Sequence, residues 1–195
     1  MNTLLHKPLA PPATARESLD ELCGEFPGFH AGGEAFREIA GEAMPQPYHK
    51  LLVHKRHMTV TLAEHFGVTP NLYVMGELRD RNWYSRKIFL TAGNKSDSIE
   101  LGVVRMDLSC LRENVAEQIL RKGSPLGAIL AEHHVLRRIE PRHYLFFPKG
   151  SAVLRWFGHG NAGPFYGRLG TIHCNEKPAI DVLEIVTLWK ENIQL

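Results

Sequence analysis

Trp83-Tyr84-Ser85-Arg86-Lys87-Ile88-Phe89-Leu90-Thr91 and Ile99-Glu100-Leu101-Gly102-Val103-Val104-Arg105-Met106-Asp107-Leu108 decide the fold. Both runs are rich in the β-branched and aromatic residues that suit a pleated, half-buried surface. The stretch between them, Gly93-Asn94-Lys95-Ser96-Asp97-Ser98, is turn chemistry. Just upstream, Leu72, Val74 and Gly76 alternate with Tyr73 and Met75. Three consecutive β runs with short polar connections predict an antiparallel meander.

Toward the C-terminus, residues 165–174 and 179–189 are two further β runs, and Asn175-Glu176-Lys177-Pro178 between them reads as a hairpin. Shorter β runs at 135–139 and 143–147 flank Glu140-Pro141. Helical spacing accounts for much of the remainder. Residues 16–26 place Leu19, Leu22, Cys23 and Phe26 on one face before Pro27-Gly28 stops the pattern. A weaker helical stretch covers 34–43. Thr59 is the expected N-cap of a helix over 60–66 that ends at Gly67. Residues 113–121 carry Val115, Ile119 and Leu120 on one face; Ser124 and Pro125 then suit the cap and first turn of a helix bearing Leu126, Ile129 and Leu130. A helical turn is expected at 151–157 and a glycine-rich loop at 158–164. The sum is about six strands with helices inserted in groups, an α+β fold on a single antiparallel sheet.

With 195 residues, 44% hydrophobic and 23% charged, the chain has the make-up of one globular domain. Residues 1–15, broken by Pro8, Pro11 and Pro12, read as a loose leader before a domain over 16–195. No apolar run is long enough to span a membrane. Cys23, Cys110 and Cys174 are widely spaced and form no C-x-x-C, so neither a disulfide framework nor a thiolate zinc site is expected, and a cytoplasmic location is the default. A net charge of +2 does not argue for nucleic acid. Basic residues do cluster locally, in His54-Lys55-Arg56-His57 and in Arg137-Arg138 followed by Arg142. These are either solvated faces or a positive field for a small anion. Eleven histidines include no H-E-x-x-H and no neighbouring acid at a metal-ligand offset, so no metal is expected. No glycine-rich phosphate loop joins a strand to a helix.

Two charges stand inside apolar strands. Glu184 shares a strand face with Ile180, Val182 and Val186, and Arg86 shares one with Tyr84, Ile88 and Leu90. Burying an ion there is costly without a partner. Two readings stand: a buried ion pair or edge glutamate, or a sheet-lined pocket with a cation for a ligand carboxylate and a carboxylate for a hydroxyl.

Several segments, in order across 51–188, resemble the chorismate pyruvate-lyase family, the 4-hydroxybenzoate synthases. They are Leu51-Leu52-Val53 through His57-Met58-Thr59, then Trp83 to Leu90 as quoted, and Glu100-Leu101-Gly102-Val103-Val104. Ser124-Pro125-Leu126-Gly127-x-Ile129-Leu130 and Lys177-Pro178 leading to Leu183-Glu184-Ile185 complete the set. The resemblance implies a six-stranded antiparallel sheet with helical flaps over an internal cavity. It also implies elimination of pyruvate from chorismate to give 4-hydroxybenzoate, without metal or organic cofactor. Arg86 would bind the ring carboxylate and Glu184 the ring hydroxyl as the catalytic pair. Met58, Gly102 and Leu126 would line the cavity, Leu126 beside a usable backbone N–H. The family pattern has an arginine directly after the glycine; here Val103 follows Gly102, and Arg105 is the expected substitute. Arg168 would hold the pyruvyl carboxylate. The partner is thus a small molecule, chorismate or an aromatic carboxylate. The same fold also serves non-catalytic sensor domains, so an aromatic-carboxylate binding protein is the alternative, and a different enzyme on the same scaffold a third. Against a regulator, no basic recognition helix precedes the sheet in this sequence.

Overall fold

The computed structural model describes residues 14–26, 35–94, 98–151, 157 and 163–188. Helix α1 (Ala15–Gly24) opens with a capping box. The Thr14 side chain accepts from the Glu17 N–H, and the Glu17 carboxylate accepts from the Thr14 N–H, so two otherwise unpaired donors are satisfied. Its buried face presents the expected Leu19, Leu22 and Cys23 to the sheet, and Phe26 follows just beyond the helix end. The weak helical stretch is instead a short strand, β1 (Arg37–Ile39), and a 3-10 turn, Gly41–Ala43. Strand β1 pairs along Tyr144 to Phe146. Residues 34–43 have no strong apolar period, so sheet pairing decides their conformation.

Two short helices follow, α2 (Tyr48–Leu52) and α3 (Met58–Phe66). Helix α3 starts two residues earlier than expected, with His57 rather than Thr59 at the N-cap and no side-chain cap bond. It ends at Gly67, whose φ of 69° is the left-handed conformation expected there. The meander is formed by β2 (Asn71–Asp80), β3 (Trp83–Thr91) and β4 (Ser98–Asp107). A 3-10 turn at Leu108–Cys110 leads to α4 (Glu113–Leu120) and α5 (Leu126–Glu132). Pro125 itself is the residue before α5, its carbonyl accepting from the Ala128 and Ile129 N–H groups, so Ser124 lies outside the helix. The two short runs around Glu140-Pro141 are one strand, β5 (Arg137–Phe147), carrying a bulge between Pro141 and His143. Proline cannot donate to the ladder, and the bulge absorbs the interruption. Strands β6 (Phe165–Cys174) and β7 (Lys177–Val186) meet at Asn175-Glu176, both with positive φ, as a two-residue hairpin requires.

Among the described residues the strands form one antiparallel sheet in the order β1-β5-β6-β7-β4-β3-β2. The expected six long strands form the sheet, with β1 added as one short edge strand. Helix α1 packs on one face against Phe89, Leu101, Val103, Leu169, Leu183 and Ile185. The opposite face carries two helix pairs. Helices α4 and α5 cover Val104, Met106, Ile180 and Val182, while α2 and α3 cover Ile88, Leu90 and Val186. Each large apolar side chain so buried contributes roughly 1.5–3 kcal/mol. The seam between the two pairs is where the sheet carries its glycine and its carboxylates. The expected Pro27-Gly28 stop, the leader before Thr14, and most of the turn and loop over 151–164 lie outside the described residues.

Candidate functional site

The register places the site in consecutive rows on the helix-pair face. One row runs Ile88, Gly102, Glu184, Arg168 across β3, β4, β7 and β6; the row beside it runs Arg86, Val104, Val182. On the other side Leu90, Glu100 and Val186 align. Arg86 and Glu184 therefore share a face, with β4 between them and one row of offset.

Over these rows lies a small, partly open cavity of about 40 Å³. Its walls include Met58 of α3, Leu126 and Gly127 of α5, and Gly102, Glu100 and Glu184 of the sheet, with His57 at one side. Of the sequence-predicted residues, Met58, Gly102, Leu126 and Glu184 are brought together here. Gly102 makes the floor: a Cβ on it would sit 2.9 Å from Ile88 Cγ1 and 3.4 Å from Glu100 Oε1. Gly127 lets α5 approach the start of α3, since a Cβ there would meet the His57 Cβ at 3.0 Å. A space of this size holds about one water, so a ring-sized ligand requires the helix pairs to part.

Arg86 does not itself line the cavity, although Val104 and Val182 of its own row and Ile88 beside it do. It is completely buried, and among the described residues none of its three guanidinium nitrogens has a hydrogen-bond partner. The cross-strand neighbour is Glu77, but that carboxylate accepts from the Tyr84 hydroxyl at 2.8 Å and from Lys122 at 2.6 Å. Burial pushes the Arg86 pKa below its ordinary value, with the Tyr84 hydroxyl and Glu77 opposing weakly.

Arg168 is fully committed. Its Nε donates to Glu184 Oε2 at 2.5 Å, and its terminal nitrogens donate to the carbonyls of Leu52 at 3.1 Å, His54 at 2.9 Å and Arg56 at 3.3 Å. It thereby fastens the α2–α3 connection to the sheet and neutralises Glu184. Glu100, beside Glu184 on the next row, has no cation of its own among the described residues, where its Oε2 makes no hydrogen bond. Burial first, and the Glu184 charge second, raise its pKa well above the ordinary range. The cavity thus holds one carboxyl that keeps its proton more tightly than usual beside one ion-paired carboxylate. Glu100 lies two residues before Gly102 in an apolar run, the same parity signal that singled out Glu184. His57 is held neutral, its pKa lowered to about 4 by burial and then by Arg137, whose Nε donates to its Nε2.

Arg105 is not part of this site. It projects from the other sheet face, in the row Ser85, Arg105, Asp181, Thr171. There its Nη2 donates to Asp181 at 3.3 Å, with Glu21 at 3.6 Å and Glu25 at 3.8 Å. Gly102 and Arg105 are three apart, so strand alternation sends them to opposite faces.

No family model and no curated protein matches the chain. Among solved structures the fold is similar to PhnF from Mycobacterium smegmatis, at 9% identity and a TM-score of 0.44, over 68% of this chain and 64% of that one. It is also similar to the effector domain of PhnF from Mycobacterium smegmatis, at 10% identity and a TM-score of 0.46, over 69% of this chain and 90% of that one. This chain accordingly spans under two thirds of the longer PhnF chain. At such identities and overlaps neither likeness bears on the chemistry, which rests on the residues themselves. No helix among the described residues is long and apolar enough to cross a membrane.

Proposed function

We propose that this chain binds a small cyclic carboxylate, aromatic or one step from aromatic, between its two helix pairs. Arg86 takes the ligand carboxylate, Glu184 and Glu100 face its hydroxyl, and Met58, Gly102 and Leu126 enclose the ring. The observation that carries this reading is the Arg86 guanidinium, unpartnered among the described residues. An isolated buried cation costs several kcal/mol, and a bidentate carboxylate is the ligand chemistry that removes that cost.

A second, finer reading is the chorismate pyruvate-lyase reaction, favoured by the juxtaposition of Glu100, whose pKa is raised by burial, with Glu184 paired to Arg168. In that elimination the C4–H and C3–O bonds break, the ring becomes aromatic, and the departing enolpyruvate takes up a proton as pyruvate. A base and an acid on one wall suit both proton movements. Arg168 would have to release the α2–α3 connection to meet the pyruvyl carboxylate, so that role is the weakest of those the resemblance implies.

Calorimetric titration with 4-hydroxybenzoate and incubation with chorismate test both readings. Saturable 4-hydroxybenzoate binding is expected, weakened at least thirtyfold in Arg86→Ala, which corresponds to about 2 kcal/mol. Release of pyruvate and 4-hydroxybenzoate would establish the lyase; binding without turnover would leave the binding protein. Absence of both would remove the site assignment.

A further inference from the structure

The two basic clusters, far apart in the sequence around Arg56 and Arg137, are neighbours in space. Lys55, Arg56 and His57 from the α2–α3 connection face His134, Arg137 and Arg138 from the α5–β5 junction across an open groove of about 700 Å³. The remaining walls are apolar: Val60, Val135, Leu136 and Ile139. A second hollow of about 320 Å³ continues it past Leu136, Arg137 and Arg138 to His173 and Glu176. The first volume lies within the range of small-molecule sites, unlike the small cavity behind it.

We propose that this groove is a second binding site, for an organic anion of two or more charges carrying an apolar body. No carboxylate lines the larger groove, so its field is uniformly positive. The nearby acids are engaged at its margin: Glu64 with Arg56, and Glu140 with Arg138 at 2.8 Å. Both pairs are exposed, hold little energy, and yield readily to a competing anion. The side chains of Lys55 and His134 have no hydrogen-bond or ion-pair partner among the described residues. Arg137 is pre-positioned by its bonds to His57 and the Val135 carbonyl, the latter at 3.1 Å. The apolar requirement comes from Leu136, 64% exposed, and Val60, 44% exposed, the two most exposed large hydrophobic side chains described. An anion without an apolar portion would leave both in water.

The probe is 2-naphthyl phosphate, close to doubly charged at neutral pH. Titration of the whole chain is expected to show saturable binding at least tenfold tighter than for 2-naphthol or inorganic phosphate, weakening as salt screens the exposed charges. The Lys55→Ala/Arg138→Ala double variant, altered at two exposed positions, should lose at least tenfold in affinity for the probe. Its affinity for 4-hydroxybenzoate should stay as in the parent. Equal binding of 2-naphthol would overturn the anionic character of the site. Probe binding that 4-hydroxybenzoate displaces and the double variant retains would place the probe in the small cavity, overturning the groove while leaving the Arg86 site standing. Preference for a single-stranded oligonucleotide, growing with its length, would also overturn the small-anion assignment.

Discussion

The two faces of the sheet bury arginines in opposite ways. On the α1 face, Arg105 lies within 4 Å of three carboxylates, those of Asp181, Glu21 and Glu25. Asp181 is further bound by Arg142 at 2.7 Å and the Thr171 hydroxyl at 2.8 Å. On the helix-pair face, Arg168 is matched by Glu184 and three carbonyls, but Arg86, equally buried, has no hydrogen-bonded anion among the described residues, and only the Tyr84 hydroxyl and the already engaged Glu77 act on it. A buried arginine with an internal anion holds the fold; one without leaves the fold incomplete toward a ligand. Burial alone does not separate the two cases, because Arg86, Arg105 and Arg168 are all at most 2% exposed. The hydrogen-bond inventory does.

The comparison breaks most visibly at Arg105. Arg105→Ala leaves Asp181, Glu21 and Glu25 without their shared cation and should cost about 3–5 kcal/mol of stability, read by denaturant unfolding. A loss under 1 kcal/mol would mean the cluster is not structural. Arg86→Met is expected to go the other way. Replacing an unpartnered ion by an apolar side chain of similar length should leave stability unchanged or raise it by about 1–4 kcal/mol, while abolishing binding of 4-hydroxybenzoate. Clear destabilisation would show that Arg86 has a partner in the fold.

A subtler difference is expected at Glu100. Its pKa in the folded chain lies above the ordinary 4.5, so the folded state binds the proton more tightly than the unfolded chain. The stability this contributes is present below about pH 4.5 and is lost as pH rises through the raised folded value. Glu100→Gln removes that titration. Its melting temperature should therefore gain on the parent as pH increases, and parallel melting curves from pH 5 to 9 would contradict the raised Glu100 pKa.

Strand parity in the sequence was enough to put Arg86 and Glu184 each on the apolar face of its own strand, and the same rule sets Arg105 opposite Gly102; the cross-strand register brought Arg86, Gly102 and Glu184 onto one face of the sheet. The arginine substitution expected there failed because positions three apart in a strand diverge. Glu100 was legible by the same parity and was passed over. Helix α1 and the hairpin at Asn175-Glu176 also follow from local chemistry, since caps, apolar spacing and turn residues act within a few positions. What sequence could not give was pairing at a distance. Strand β1 exists because β5 offers it an edge. Arg168 is occupied because three carbonyls of a remote connection converge on it, and the two basic clusters form one groove only because α3 and the start of β5 meet. Sequence determined which side chains face inward, through periodicity. Tertiary structure decided which of the buried charges found a partner, because that depends on segments far apart in the chain being brought within hydrogen-bonding distance.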